Sequence, residues 1–389
     1  MKRVVVLGLM GQYPFGGMAW QVLHHMLGFE RLGVECFYVE DSGAPPYSPR
    51  RQSVVETADE NVRFLAETMA RHGLRERWTY WDSLADTWHG FGKSRADDLV
   101  AHADAIVNVC GAAFPDPERR RGGCLVYIET DPIYEQVRML QGDEESRRFV
   151  LGHDVHFTYG LRIGDPDCLV PAGDIAWRKT HPPVVVDLWE SPPPPVGASW
   201  RTVATYRNRG KDVVLDGRTY HWSKHPNFER VMDLPRHTEE TLEIALVTAG
   251  EHDVRERFRQ NGWKLEDPVA VSSDADVYRS YIQGARGELS VEKQDLSELK
   301  PGWFSDRSVC FLAAGRPCVL QDTGFGVRVP TGEGLLAWNT KEEAAEALAR
   351  VTADYPRHAQ AALRIAREYF DASVLLPPIL EAAGISVRR

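Results

Sequence analysis

The sequence lacks any apolar run approaching the ~20 residues that span a bilayer. It is also poor in cysteine. Cys36, Cys110, Cys124, Cys168, Cys310 and Cys318 are scattered, with no CxxC pair. That spacing excludes a zinc-ribbon or dithiol framework and reads as reduced, mostly buried thiols of a cytoplasmic protein. Positive charge is not in excess: 46 Lys and Arg stand against 56 Asp and Glu, a formal net charge of −10. A chain this acidic is a poor general binder of DNA or of anionic membrane. The glycine-rich segment after the first apolar run, Gly8-Leu9-Met10-Gly11-Gln12-Tyr13-Pro14-Phe15-Gly16-Gly17, matches neither GxGxxG nor a Walker loop. No short internal repeat occurs, and the only low-complexity tract is one run of prolines.

What is present is a globular balance. Hydrophobic residues make up 43% and charged residues 26% of 389 positions, which fits two domains rather than one core or a disordered chain. The opening Lys2-Arg3-Val4-Val5-Val6-Leu7-Gly8 reads as a buried strand and not a signal peptide. A strand over 3–7, a helix over 18–32 closed by Gly33 and a strand over 35–39 form a βαβ opening, the mark of a parallel sheet. Further strands are predicted over 105–109, 124–128, 156–159 and 183–189, with helices over 61–71 and 96–102. Pro192-Pro193-Pro194-Pro195 can form neither helix interior nor central strand. It divides the chain into a first domain over 1–190, a linker over 191–199 and a second domain over 200–370, with a final helix over about 371–389. In the second domain strands are predicted over 202–205, 241–247, 269–272, 287–291 and 317–320. Helices are predicted over 226–234, 253–260, 275–284, 305–314, 341–352 and 356–369. A last helix over 373–383 should break, or begin its final turns, at Pro377-Pro378. Both halves are therefore α/β and Rossmann-like, and their ligands belong at the carboxyl ends of the strands.

Several clusters can carry chemistry. Ser305 is a good helix N-cap, and Arg307 adds a cation beside the free N–H groups of that helix end, a combination suited to a diphosphate. Asp306 favours the helix dipole but would repel phosphate if turned inward. Asp322, Thr323 and Gly324 form a loop at a strand's carboxyl end. Glu288 and Glu292 can accept from sugar hydroxyls, and Lys293 can neutralise phosphate. Arg207, Arg209 and Lys211 follow the first strand of the second half. Tyr220-His221-Trp222-Ser223-Lys224 is a polar-aromatic run that reads rather as packing. In the first half, Asp131, after Glu129 at a strand end, and His153 are rival general bases. His153, Asp154 and His156 alternate faces on a strand-like segment, so no metal site is expected there.

The Ala313-Ala314-Gly315-Arg316-Pro317 helix–strand junction with its following Asp322-Thr323-Gly324 resembles the nucleotide-sugar site of GT-B glycosyltransferases, nearest to the bacterial family 4 and family 1-like enzymes. Their pair of glutamates would fall at Gly302 and Cys310, so the resemblance is to a divergent branch marked by Ser305-Asp306-Arg307. It implies two Rossmann-like domains facing across a cleft, with a C-terminal helix crossing back to the first. It also implies a nucleoside diphosphate sugar as co-substrate, no bound cofactor or metal, and no specific nucleic-acid partner. Donor groups would be Arg207, Arg209, Lys211, Glu288, Glu292, Ser305, Asp306, Asp322, Thr323 and Gly324. The catalytic candidates would be Asp131, His153, Lys293 and Arg307. Gly16-Gly17 resembles the start of an acceptor domain, and Gly16, Gly17 and Trp20 would meet the acceptor. The first half's wealth of Tyr, Trp and Phe is compatible with a flat, natural-product-like acceptor. Rival readings are a nucleotide-sugar epimerase on the same scaffold, an NAD-dependent enzyme with Glu40 as its ribose-binding acid, and a non-catalytic sugar-nucleotide-binding module.

Overall fold

The structure is a computed structural model describing residues 2–248 and 250–386. Two parallel sheets dominate it. The first contains β1 (Arg3–Leu7), β2 (Glu35–Glu40), β3 (Trp78–Asp82), β4 (Thr87–Gly90), β5 (Ala105–Val109), β6 (Cys124–Glu129), β7 (Val155–Thr158) and β8 (Arg178–Lys179), in the order β8-β7-β6-β5-β1-β2-β3-β4. All neighbours are parallel except the edge hairpin β3–β4. The second contains β9 (Trp200–Thr205), β10 (Leu242–Val247), β11 (Lys264–Glu266), β12 (Gly287–Ser290), β13 (Cys318–Gln321) and β14 (Leu335–Trp338), in the order β11-β10-β9-β12-β13-β14, all parallel. Val4, Val5 and Val6 are fully buried, as a strand covered on both faces requires. Strand order reverses beside β1 in the first sheet and beside β9 in the second, so each half has its ligand crevice at that point.

Helix α1 (Gly16–Arg31) packs on the first sheet through Ala19, Trp20, Val22, Leu23, Met26 and Phe29, spaced three or four apart. It begins two residues before the periodicity predicts, because Gly16 and Gly17 are themselves helical. Helix α2 (Ala275–Gln283) of the second half lies against α1. Gly16 is needed there: a Cβ on it would collide with the Tyr278 side chain. Helix α3 (Asp306–Ala313) starts at Ser305, whose hydroxyl accepts from the Arg307 N–H at 3.2 Å. Helix α4 (Ala372–Ala382) returns to the first half and packs Ala372 and Leu376 against Gly28 of α1.

The remaining differences have local causes. The stretch 183–189 is not a strand: Val184 makes one bridge to Asp371, and Val186–Leu188 is a 3-10 turn. Pro182 and Pro183 lack the N–H groups a ladder needs. The stretch 269–272 is helical, Pro268–Ser272, since Asp267 caps the Val269 N–H at 2.9 Å and Pro268 suits the first helical position. Helix α4 runs unbroken through Pro377 and Pro378, held by its buried face of Leu376, Ile379 and Leu380. Periodicity predicts neither the β3–β4 hairpin nor the helices Tyr134–Leu140, Glu144–Leu151 and Gln294–Leu299. These segments are short and their polar residues mask the pattern.

The linker is anchored. Arg316, only 2% exposed, donates to the Gln283 carbonyl at 2.6 Å, to Ser191 Oγ at 2.9 Å and to the Pro192 carbonyl at 2.6 Å. The chain returns to the first half through a single π turn, Ala366–Phe370, where Arg367 pairs with Glu190 at 2.5 Å.

Candidate active site

The strand ends of the two sheets face each other across a cleft with two neighbouring compartments. One, about 640 Å³, lies at the switch point of the second sheet. Its floor is Val203, Ala204 and Thr205 of β9, and its walls include Arg207, Asn208, Arg209, Trp222, Lys224, Lys293, Ser305, Asp306 and Arg307. Tyr13, Phe15, Gly17 and Tyr47 close it from the first half. The second compartment, about 700 Å³, belongs mainly to the first half and is lined by Cys110, Phe114, Tyr127, Thr130, Asp131, Tyr134, Phe149 and Lys211. Tyr13, Met18 and Trp222 line both.

Five basic side chains and one acid, Asp306, line the first compartment. This local excess runs against a chain of net charge −10, so any anion held there is held by neighbours and not by the overall field. Most of these cations already have partners. Arg307 pairs through Nε with the Glu288 carboxylate. It also donates to the Val203 carbonyl at 2.9 Å and to Ser290 Oγ at 2.7 Å. Burial opposes its charge, and Glu288 and Glu292 more than offset that, so its pKa is raised. Lys224 donates to Glu292 at 2.9 Å and to the Val291 carbonyl, and burial lowers it to about 8. Burial would raise Glu292, but Lys224 and Arg307 hold it below the usual carboxylate range. Arg207 pairs with Glu251 at 2.5 Å. Arg209 is exposed and makes no ion pair among the described residues.

Glu288 and Glu292 therefore lie beneath the compartment, outside its lining. They hold Arg307 and Lys224 in place and, buried outside the lining, do not face a sugar bound there. Asp306 turns toward the first half, where Gln21 Nε2 donates to it at 3.2 Å, and burial raises it to about 6. Gln21 also accepts from Cys110 Sγ at 2.9 Å, which links the two compartments.

Asp131 is at the dividing wall. Lys293 Nζ lies 2.7 and 2.9 Å from its two oxygens, and the Trp222 indole N–H donates to the same carboxylate. Lys293 Nζ also sits 4.3 Å from the centre of the Trp222 ring. Burial would raise Asp131, but Lys293 and Lys211 bring it below its ordinary value. The turn presenting it is strained: Ile133, fully buried and β-branched, has φ +101°. Gln136 holds that turn, accepting the Ile133 N–H at 2.7 Å and donating to buried Glu129 at 2.7 Å.

Other expected site residues fall elsewhere. His153 is buried against Tyr127 and Phe149. Its ring nitrogens meet Asn108 at 2.9 Å and the Phe149 carbonyl at 3.0 Å, and burial lowers it to about 4. It faces neither compartment. Asp322 is consumed by Lys300 at 2.5 Å and by the Gly324 N–H at 2.8 Å, and Thr323 Oγ1 donates to the Trp303 carbonyl at 2.5 Å. Asp322, Thr323 and Gly324 thus brace the loop before α3, away from the cleft lining. Trp20 is a packing residue, donating to the Ala275 carbonyl at 2.8 Å, and Gly16 makes room for Tyr278; Gly17 alone of the three lines the cleft. Glu40 is not an open ribose ligand. Its two oxygens accept the Gly11 and Gln12 N–H groups, each at 2.6 Å, and Tyr38 donates to it as well. The polar-aromatic run read as packing supplies Trp222 and Lys224 to the cleft. Its aromatic–lysine pairing after the basic loop was the available signal. Among the described residues no three His, Cys, Asp or Glu side chains form a metal-binding group.

Two parallel Rossmann-like sheets with facing strand ends, and a last helix crossing back to the first, are the GT-B fold of glycosyltransferases. The solved structures it resembles include AviGT4, a glycosyltransferase involved in avilamycin A biosynthesis, at TM-score 0.60 and 13% identity over 100% of both chains. An alpha-glucosyltransferase in complex with UDP and a 13-mer DNA containing a HMU base matches at 0.57 and 10%, over 98% of this chain and 99% of that one. HepE of Anabaena in complex with UDP-glucose matches at 0.55 and 12%, over 99% and 100%. At these identities the likeness is one of fold. No family model matches the chain, and no curated protein matches it.

Proposed function

We propose that this protein is a metal-independent glycosyltransferase that moves a sugar from a nucleoside diphosphate sugar to an acceptor hydroxyl. The donor occupies the second half and a small, flat acceptor the first. The carrying observation is the basic 640 Å³ compartment at the switch point of the second sheet, opening onto a second, aromatic compartment. Two adjoining compartments favour two substrates over an epimerase, which needs one. Glu40 is already filled by its own loop, which argues against NAD in the first half. UDP or UDP-glucose in the fold's solved relatives supports a uridine donor. The acidic chain supports a small-molecule acceptor rather than nucleic acid.

In the reaction, the acceptor oxygen forms a bond to the anomeric carbon as the carbon–oxygen bond to the diphosphate breaks, and the hydroxyl proton passes to the Asp131 carboxylate or to the departing diphosphate. The electron pair leaves with the nucleoside diphosphate. Lys293, Arg209 and the N-terminal N–H groups of α3 would stabilise that charge. Arg307 contributes its field from below while keeping its bonds to Glu288 and Ser290. The linker over 191–199 divides donor from acceptor domain in this reading, and the protein works in the cytoplasm. Calorimetric titration with UDP-, dTDP- and GDP-sugars and with NAD tests it. Binding of NAD and of none of the sugar nucleotides would sink it, and conversion of the sugar nucleotide to an isomeric sugar nucleotide without acceptor would restore the epimerase.

A further inference from the structure

Among the described residues, the Asp131–Lys293 pair is the one ion pair that joins the walls of the two compartments. Lys293 lines the basic compartment and Asp131 the aromatic one, and Trp222, which lines both, touches each of them. The two side chains are 22% and 15% exposed, so neither is fully solvated. We infer that Lys293 is exchanged during binding: a donor diphosphate draws it off Asp131, and the released carboxylate receives the hydroxyl of the acceptor. This rests on the donor and acceptor reading above.

The chemistry favours the exchange. A diphosphate offers more charge than one carboxylate, and its oxygens would enter the compartment that Lys293 already borders. The lysine is the partner able to move, since its ammonium ends a flexible stem. Asp131 is fixed by the strained Ile133 turn and by the Gln136 brace. Once Lys293 leaves, Asp131 keeps the Trp222 N–H and the nearby charge of Lys211, but one side of it lies open to the acceptor compartment. A half-buried carboxylate with an unused acceptor position facing the compartment takes a hydroxyl donor. Donor occupancy thereby creates the acceptor's hydrogen-bond partner, and linkage makes the effect reciprocal.

The test is a double-mutant cycle read by calorimetry on the full chain, with UDP, dTDP and GDP as probes. Asp131→Asn should bind the preferred nucleotide about two- to fivefold more tightly than wild type, the worth of a partly exposed ion pair no longer in competition. Lys293→Met should weaken binding, and Asp131→Asn should give no gain when added to it. An equal gain in both backgrounds would mean simple removal of repulsion and would overturn the exchange. So would an unchanged or weaker Asp131→Asn. Asp131→Ser repeats the cycle if the Asn variant fails to fold. Wild-type protein that binds none of the three nucleotides overturns the donor reading itself. Nucleotide binding with an additive cycle overturns only the exchange.

Discussion

Gly16 of α1 sits directly against Tyr278 of α2, so closely that the first helix of one half and a helix of the other share a surface with no room for a methyl group. The cleft opens just beyond this contact, and Gly17 and Tyr278 both line it. Gly16→Ala should therefore act on the joint between the halves. An overpacked contact of this kind costs about 1–3 kcal/mol. Urea unfolding should register the loss, while Gly33→Ala, at an open surface turn with φ +80°, should lose stability by backbone strain alone and leave ligand affinity untouched.

Arg307 and Glu288 should behave as one unit. Glu288 is 0% exposed, so Arg307→Ala leaves a buried carboxylate without its cation, a change worth about 3–5 kcal/mol. The combined Arg307→Met, Glu288→Gln protein should recover most of that stability in denaturant titrations. Failure of the pair to recover would place Arg307's importance outside this ion pair.

Stability should pass through a maximum between about pH 5 and 7. Burial raises Glu40, Glu129 and Asp295 to about 7. Their contribution is complete below the unfolded carboxyl range and is lost as pH rises through about 7. Burial lowers His24 to about 3 and His25, His153 and His181 to about 4. Their contribution is complete above the ordinary 6.5 and is lost as pH falls toward 4. Chemical denaturation between pH 5 and 8 should show decline on both sides of the maximum. A curve rising steadily to pH 8 would contradict the carboxyl assignment.

Asp306 should make donor binding depend on pH. It is the single acid among the described residues lining the basic compartment, and burial raises it to about 6. Ionised, it repels a diphosphate; protonated, it does not. UDP-glucose, whose diphosphate does not titrate in this range, should bind about three- to tenfold more tightly at pH 5 than at pH 7. Asp306→Asn should flatten that dependence. A wild-type affinity that is already flat would remove Asp306 from the ligand's surroundings.

The βαβ opening was legible because Val4, Val5 and Val6 and the spaced apolar residues of α1 carry undiluted patterns. So was the Ser305 cap, whose hydroxyl bonds locally. The site was less legible for a physical reason. Whether Arg307 or Lys293 is a free cation depends on partners far along the chain, Val203 and Asp131, which no spacing rule connects. Asp322, Thr323 and Gly324 look like a ligand loop in sequence, but their hydrogen bonds are spent on Lys300 and Trp303. Lys224 and Trp222 were hidden because one segment supplies both packing and cleft residues.

The chain passes between the halves twice, once through the prolines held by Arg316 and once through the π turn, and Glu190 and Arg367 join the two passages. Mechanically this is a door on paired hinges set side by side. Sliding and twisting of one half over the other strain two covalent connections at once, whereas swinging about the line between them strains neither.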